Sequence, residues 1–171
     1  MKLQITEYKT LLNDKRLEEL VEEKAFEYSK EKTLSSPDKI VTMMNNVFDA
    51  DRLPEEHCWI LGFDTKEVLK GVILLSHGTV NQALVTCREL GIKLLLMNAV
   101  SFVLIHNHPS GFCDYSSADL AVTKKVSALG SLIDCKMIDS IIIGKENYFS
   151  FLEHGLMPQN PNIEKIANVF I

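Results

Sequence analysis

The apolar run Ser101-Phe102-Val103-Leu104-Ile105 ends in His106-Asn107-His108-Pro109-Ser110-Gly111, and this junction restricts the fold more than any other stretch. A short uncharged run of this kind reads as a buried strand, and Pro109 with Gly111 then ends it and turns the chain. Along an extended segment residues i and i+2 face the same way, so His106 and His108 point together from the strand end. Such a strand belongs in a layered sheet whose end is open to solvent. Asp119, thirteen residues after His106, falls in the first turn of a helix predicted from Ser117 to about Leu129, with Gly130 as its stop.

Two imidazole nitrogens and one carboxylate oxygen, with a fourth position left for water, make the three-ligand pattern of catalytic zinc. A closed structural site brings a fourth protein ligand, often cysteine. His106, His108 and Asp119 are therefore the candidate metal ligands. Ser116-Ser117-Ala118-Asp119 also has the form of a capping box, and a capped helix start would hold Asp119 still and put Ser116 beside the metal. Zinc hydrolysis further needs a carboxylate to move a proton from water to the leaving group. Glu55, Glu56, Glu67 and Glu89 are the candidates. Glu89 reads as the capping partner of Thr86 and Glu67 as a turn residue. Glu55 and Glu56 both precede the strand that starts at Cys58, and spacing does not choose between them.

The rest of the chain supplies alternating elements. Residues 13–32 are predicted as a charged amphipathic helix, with Leu17, Leu20, Val21, Ala25 and Tyr28 on one face, which a second copy of the chain could cover. Ser36 with Pro37 marks a second helix start, followed by the stripe Ile40, Val41, Met44, Val47 and Phe48. Cys58–Phe63 and Val68–Leu75 read as a hairpin around residues 64–67, and a helix follows from Thr86 to about Met97. Ile138–Ile143 and Tyr148–Leu152 read as a second hairpin, and a short helix is predicted after Pro161. Hairpins mixed with helices predict an α/β or α+β layer fold with a partly antiparallel sheet.

Composition excludes some functions. The net charge is −5 with no long Lys/Arg block, which disfavours direct binding to nucleic acid or an anionic membrane. The most apolar run, Gly91 to His106, is too short and too broken to span a bilayer. The N-terminus lacks the apolar core of a secretory signal. Cys58, Cys87, Cys113 and Cys135 form no C-x-x-C pair and no disulfide framework, so a cytoplasmic chain is expected. Cys113, on the metal loop, is read as an ordinary thiol, with zinc ligation or oxidation sensing as the sharper alternative. His57, His77 and His154 are read as polar residues at strand ends or in a turn.

HNHPSG followed by S-S-A-D resembles the metal motif of the JAB/MPN metalloproteases, also called the JAMM motif, and HNHPSG in particular resembles their RadC branch. The similarity runs from Ser36 to Leu152, about two thirds of the chain. It includes S-P-D-K-I-V, E-H-C-W-I-L-G-F-D-T-K, the G-T-V-N after His77, C-R-E-L, D-L-A-V-T, D-S-I-I-I-G and Y-F-S. The resemblance implies a cytidine deaminase-like α/β/α sandwich over residues 35–155, between a helical extension of 1–34 and a tail of 156–171. It implies zinc held by His106, His108 and Asp119. Glu56, which opens the family's E-H-x-W segment, is the implied general acid/base, and Ser116 the implied donor to the developing oxyanion. The implied substrate is a protein or peptide with an amide or isopeptide bond.

Three departures stand out. Tyr115 replaces the family's usual proline before the motif serine, Ser140 replaces the histidine of a usual D-H pair, and the helix-hairpin-helix region of full-length RadC has no counterpart. A DNA-repair or mobile-element accessory role and a metal-free interaction scaffold are the alternatives to hydrolysis. Against the first stand the charge and the missing helix-hairpin-helix; against the second stands the complete ligand set.

Overall fold

Side chains alternate along the strands between two cores, one on each side of a single sheet whose central strands are buried on both faces. This computed structural model describes residues 2–78 and 86–158. Among them lie β1 (Leu3–Leu12), β2 (Glu18–Tyr28), α1 (Pro37–Phe48), β3 (Glu56–Phe63), β4 (Leu69–Gly78), α2 (Cys87–Leu96), β5 (Ser101–Asn107), α3 (Ser117–Leu132), β6 (Lys136–Ile143) and β7 (Tyr148–Ser150). The strands form one mixed sheet in the order β2-β1-β4-β3-β5-β6-β7. The β1/β4 and β5/β6 pairs are parallel and the others antiparallel.

On one face Trp59, Leu61, Val103, Ile105 and Ile141 pack against Ile40, Val41, Met43 and Met44 of α1. On the other, Cys58, Ile60, Phe102, Leu104 and Met137 pack against Leu90 and Leu94 of α2 and Val126 of α3. The result is the α/β/α layering that the family resemblance implied. Ser36 and Pro37 do begin α1, and the two hairpins around residues 64–67 and 144–147 form as predicted. Among the described residues no helix is long and apolar enough to cross a membrane.

The N-terminal expectation is overturned. Residues 13–32 do not form a helix: they supply the turn and second strand of a hairpin paired from Leu3↔Tyr28 to Leu12↔Glu18. Asn13 makes the turn, its Oδ1 accepting the N–H groups of Lys15 and Leu17 at 3.0 Å each. Leu20 and Val21 fit the helical stripe, whereas Phe26 and Tyr28, two residues apart and in the same core, fit a strand. Tertiary pairing breaks the tie: β1 bonds to β4 at Glu7↔Val72 and Tyr8↔Ile73, and Phe26 packs edge-on against Phe48 at 5.7 Å. An isolated helix with a Lys/Glu face would gain neither contact. The face offered to a second copy goes with the helix.

Gly130 is the second correction. The helix α3 passes through it to Leu132. A Cβ at Gly130 would stand 2.4 Å from the Cys135 carbonyl oxygen and 3.0 Å from the Phe102 ring, so the glycine is there for close helix–sheet approach. The helix predicted after Pro161 and most of the G-T-V-N segment lie outside the described residues.

Candidate metal centre

Register brings the chemistry together. In the antiparallel pair β3/β5, Cys58 lies opposite His106, so the start of β3 sits beside the end of β5. Strict alternation puts Phe102, Leu104 and His106 on the α3 face of β5, and Glu56, Cys58 and Ile60 on the same face of β3. The parallel strands β5 and β6 are joined by α3, whose N-terminus therefore opens at the end of β5.

His106 and His108 approach through their Nε2 atoms, 3.1 Å apart. Ligand atoms of Glu56, His106 and His108 all lie within 4.8 Å of one another. Asp119 faces the same rings with a different oxygen for each: Oδ1 is 3.2 Å from His106 Nε2 and Oδ2 is 3.9 Å from His108 Nε2. His108 is oriented from behind, its Nδ1 lying 2.9 Å from the Phe112 carbonyl. A proton on Nδ1 satisfies that carbonyl and leaves Nε2 with its lone pair. The loop that supplies the carbonyl is fixed at Gly111, where φ is +82°. Gly111 N–H donates to the His108 carbonyl and its own carbonyl accepts from Lys145, both at 2.9 Å.

Asp119 is held by the capping box at the start of α3. Its Oδ2 accepts from the N–H and the hydroxyl of Ser116, each at 2.7 Å, and its own N–H donates to Ser116 Oγ at 3.2 Å. Burial pushes the Asp119 carboxyl up, but the bonds from His106 and Ser116 together outweigh it and hold it well below the usual carboxylate range. The Ser116 hydroxyl proton is thus engaged by Asp119.

Of the four carboxylates left open by the sequence, Glu56 joins the histidines. Glu55 turns instead towards His77, 3.5 Å from its Nδ1. Glu67 is an exposed turn residue with φ +58°, and Glu89 bonds to Lys93 on α2. His57 stacks between Trp59 and His77, and His154 stacks on Phe149 at 4.1 Å. Cys113 stands outside the group of converging ligand atoms, on the loop against Gly144. All four cysteines are free thiols.

Beneath the histidines a cavity of about 20 Å³, lined by Glu56, His106, Asp119, Thr123 and Ser140 among others, has room for one water. Thr123 donates to Ser140 there at 3.0 Å, and each residue is 1% exposed. Tyr115, the other departure, packs on Phe149 and Phe151 and anchors the loop after His108 to the β7 region. A larger pocket, about 180 Å³, lies across the sheet against Ser36, Phe63 and Asp139, away from the histidines. Asp139 is pushed upward by burial although Ser150, Leu152 and Ser140 all donate to it.

The sequence reading passed over Asn107. Its side chain reaches β3, accepting from His57 N–H at 2.7 Å and donating to the Glu55 carbonyl at 3.0 Å. A signal was available: a polar residue at the end of a buried strand, on the face opposite its histidine neighbours, has to find buried partners.

A layered α/β fold with a histidine pair, a capped aspartate and a glutamate at one sheet end defines a class, and comparison with known proteins agrees. The model of the RadC-like JAB domain matches residues 34–156, and the chain belongs to that family. Similar proteins include the UPF0758 protein of Pelodictyon phaeoclathratiforme, 36% identical over 124 residues, 70% of this chain and 56% of that protein. The UPF0758 protein of Haemophilus ducreyi is 43% identical over 84 residues, 49% of this chain and 38% of that one. The chain spans about half the length of the curated relatives it matches.

Proposed function

We propose that this chain is a zinc-dependent hydrolase acting on a peptide or isopeptide bond. One observation carries the reading. Ligands 2.0–2.1 Å from a tetrahedral zinc lie roughly 3.3–3.4 Å from one another; the His106–His108 and His106–Asp119 separations are 3.1 and 3.2 Å, and His108 stands 3.9 Å from the second Asp119 oxygen. His106, His108 and Asp119 would hold the ion, which when bound supplies water of near-neutral pKa and polarises a carbonyl oxygen.

The remaining steps belong to the chain. Glu56, on the same face as the histidines, accepts the proton of the attacking water and returns it to the leaving nitrogen. The Phe112 carbonyl keeps His108 in the ligand tautomer. Ser116 first holds Asp119 in place, and its hydroxyl can serve the developing oxyanion once its proton turns away from Asp119. A cytoplasmic setting, where free thiols stay reduced, suits the four cysteines.

The test pairs metal analysis with turnover on fluorogenic peptide and isopeptide amides. Wild type and Glu56→Gln should carry near-stoichiometric zinc, His108→Ala none, and only wild type should turn over. Full hydrolysis by Glu56→Gln, or zinc retained by His108→Ala, would refute the assignment.

A further inference from the structure

Asn107 has no part in the chemistry just described, yet it is 1% exposed and its carboxamide is bonded at both ends. Its backbone belongs to the β5/β6 ladder, opposite Ile143. The β3/β5 ladder, by contrast, ends at Cys58↔His106. Beyond that rung the Asn107 side chain does the work of a peptide unit. Oδ1 accepts the His57 N–H at 2.7 Å and Nδ2 donates to the Glu55 carbonyl at 3.0 Å.

These two groups flank Glu56, one on each side in the chain. Glu56 therefore has its backbone gripped on the α1 face while its side chain projects on the α3 face, with a carboxylate oxygen within 4.8 Å of both histidine ring nitrogens. The same residue that separates His106 from His108 also ties their strand to the glutamate beside them.

We propose that Asn107 is a positioning residue: its carboxamide clamp sets the place of the Glu56 carboxylate relative to the His106–His108 pair. The proposal rests on reading Glu56 as the proton-transferring group, and its test separates the two. A residue that merely closed the end of a ladder would affect stability without acting through Glu56.

The visible spectrum of Co(II)-loaded protein reports the groups around the metal and needs no substrate. Metal-free wild type, Asn107→Ala, Glu56→Ala and the double variant would each be titrated with Co(II). All four should still bind Co(II), since none of the substitutions removes His106, His108 or Asp119. The Asn107→Ala spectrum should move towards that of Glu56→Ala, and Asn107→Ala should change nothing further when Glu56 is already alanine. A wild-type spectrum in Asn107→Ala, or a change that persists in the Glu56→Ala background, overturns the clamp. A Glu56→Ala spectrum identical to wild type instead removes the reading of Glu56 itself, and the proposal with it. In parallel, amide exchange at His57 should quicken roughly tenfold in metal-free Asn107→Ala, as expected for one lost hydrogen bond; unchanged exchange also overturns the clamp. Should Asn107→Ala fail to fold, Asn107→Ser leaves room for a water between the two peptide groups and takes its place in every arm.

Discussion

Gly130→Ala sets two known effects against each other, and the structure decides the sign. In an open helix the change stabilises by about 1 kcal/mol, because alanine has the higher helix propensity. Here the added Cβ would lie 2.4 Å from the Cys135 carbonyl oxygen, about 1 Å inside the 3.4 Å of ordinary contact, and 3.0 Å from the Phe102 ring. Neither neighbour can give way cheaply. The oxygen is backbone, and the Cys135 N–H is itself bonded to the Gly130 carbonyl at 2.9 Å. Phe102 is fully buried. Overpacking of this kind costs about 1–3 kcal/mol, and contact with backbone puts it in the upper part of that range. The net expectation is a loss of about 1–2 kcal/mol, or a fall in Tm of about 2–8 °C for a chain of this size. Urea unfolding followed by circular dichroism measures it. Zinc affinity should not change, since Asp119 lies eleven residues away along α3, roughly 16 Å. A variant as stable as wild type, or more stable, would refute the close-approach reading.

Zinc at about 100 times its Kd should stabilise the metal-free protein by about 2.7 kcal/mol, a Tm rise of about 5–11 °C. His108→Ala should show no rise, and an equal rise would remove His108 from the site. For the buried Thr123–Ser140 pair, Thr123→Val and Ser140→Ala should each cost about 1–3 kcal/mol by stranding a hydroxyl. The double variant should cost clearly less than their sum; strict additivity in urea melts would show that the bond does not matter. Asp64 is held below the usual carboxylate range by the N–H groups of Val68 and Lys66. A lowered folded pKa gives stability that is present above the unfolded value, about 3.9, and is lost as pH falls through the folded one. Asp64→Ala should therefore melt below wild type at pH 7, with the gap closing in acid. A gap that does not change with pH would refute the link.

What the sequence revealed of this site followed the range of the interactions. Ser36-Pro37, the Ser116–Asp119 box and His106-Asn107-His108 are local, and each was placed on its element from the sequence alone. Glu56 was not separable from Glu55 by spacing, because the choice depends on which strand lies beside β5 and in what register. That pairing joins residues about fifty positions apart. The N-terminal hairpin was misread for a related reason. Leu20, Val21 and Tyr28 fit a helical stripe while Phe26 and Tyr28 fit a strand, and only the pairing of β1 with β4 selects between them. Gly130 carried a stop signal that is real in general and false here, since the crowding comes from Phe102 and Cys135.

The irregularities of the sheet show how the site survives within it. A one-residue slip in β3 or β5 would turn Glu56 or His106 to the wrong face. The pairing between these two strands runs from Phe63↔Ser101 to Cys58↔His106 without a shift. The extra residues fall on their outer partners instead. On β4, Leu75 is skipped between Ser76 and Leu74, and Lys70 between Gly71 and Leu69. On β6, Ile138 is skipped between Met137 and Asp139. The β6 bulge reverses the alternation there, turning Asp139 to the α1 face and Ser140 to the α3 face, where Thr123 meets it under His106. Twist and bend are thus taken up by the neighbours, while the two strands that carry Glu56, His106 and Asn107 keep strict alternation. The Asn107 clamp then continues that alignment past the last rung of the ladder, where the backbone no longer can.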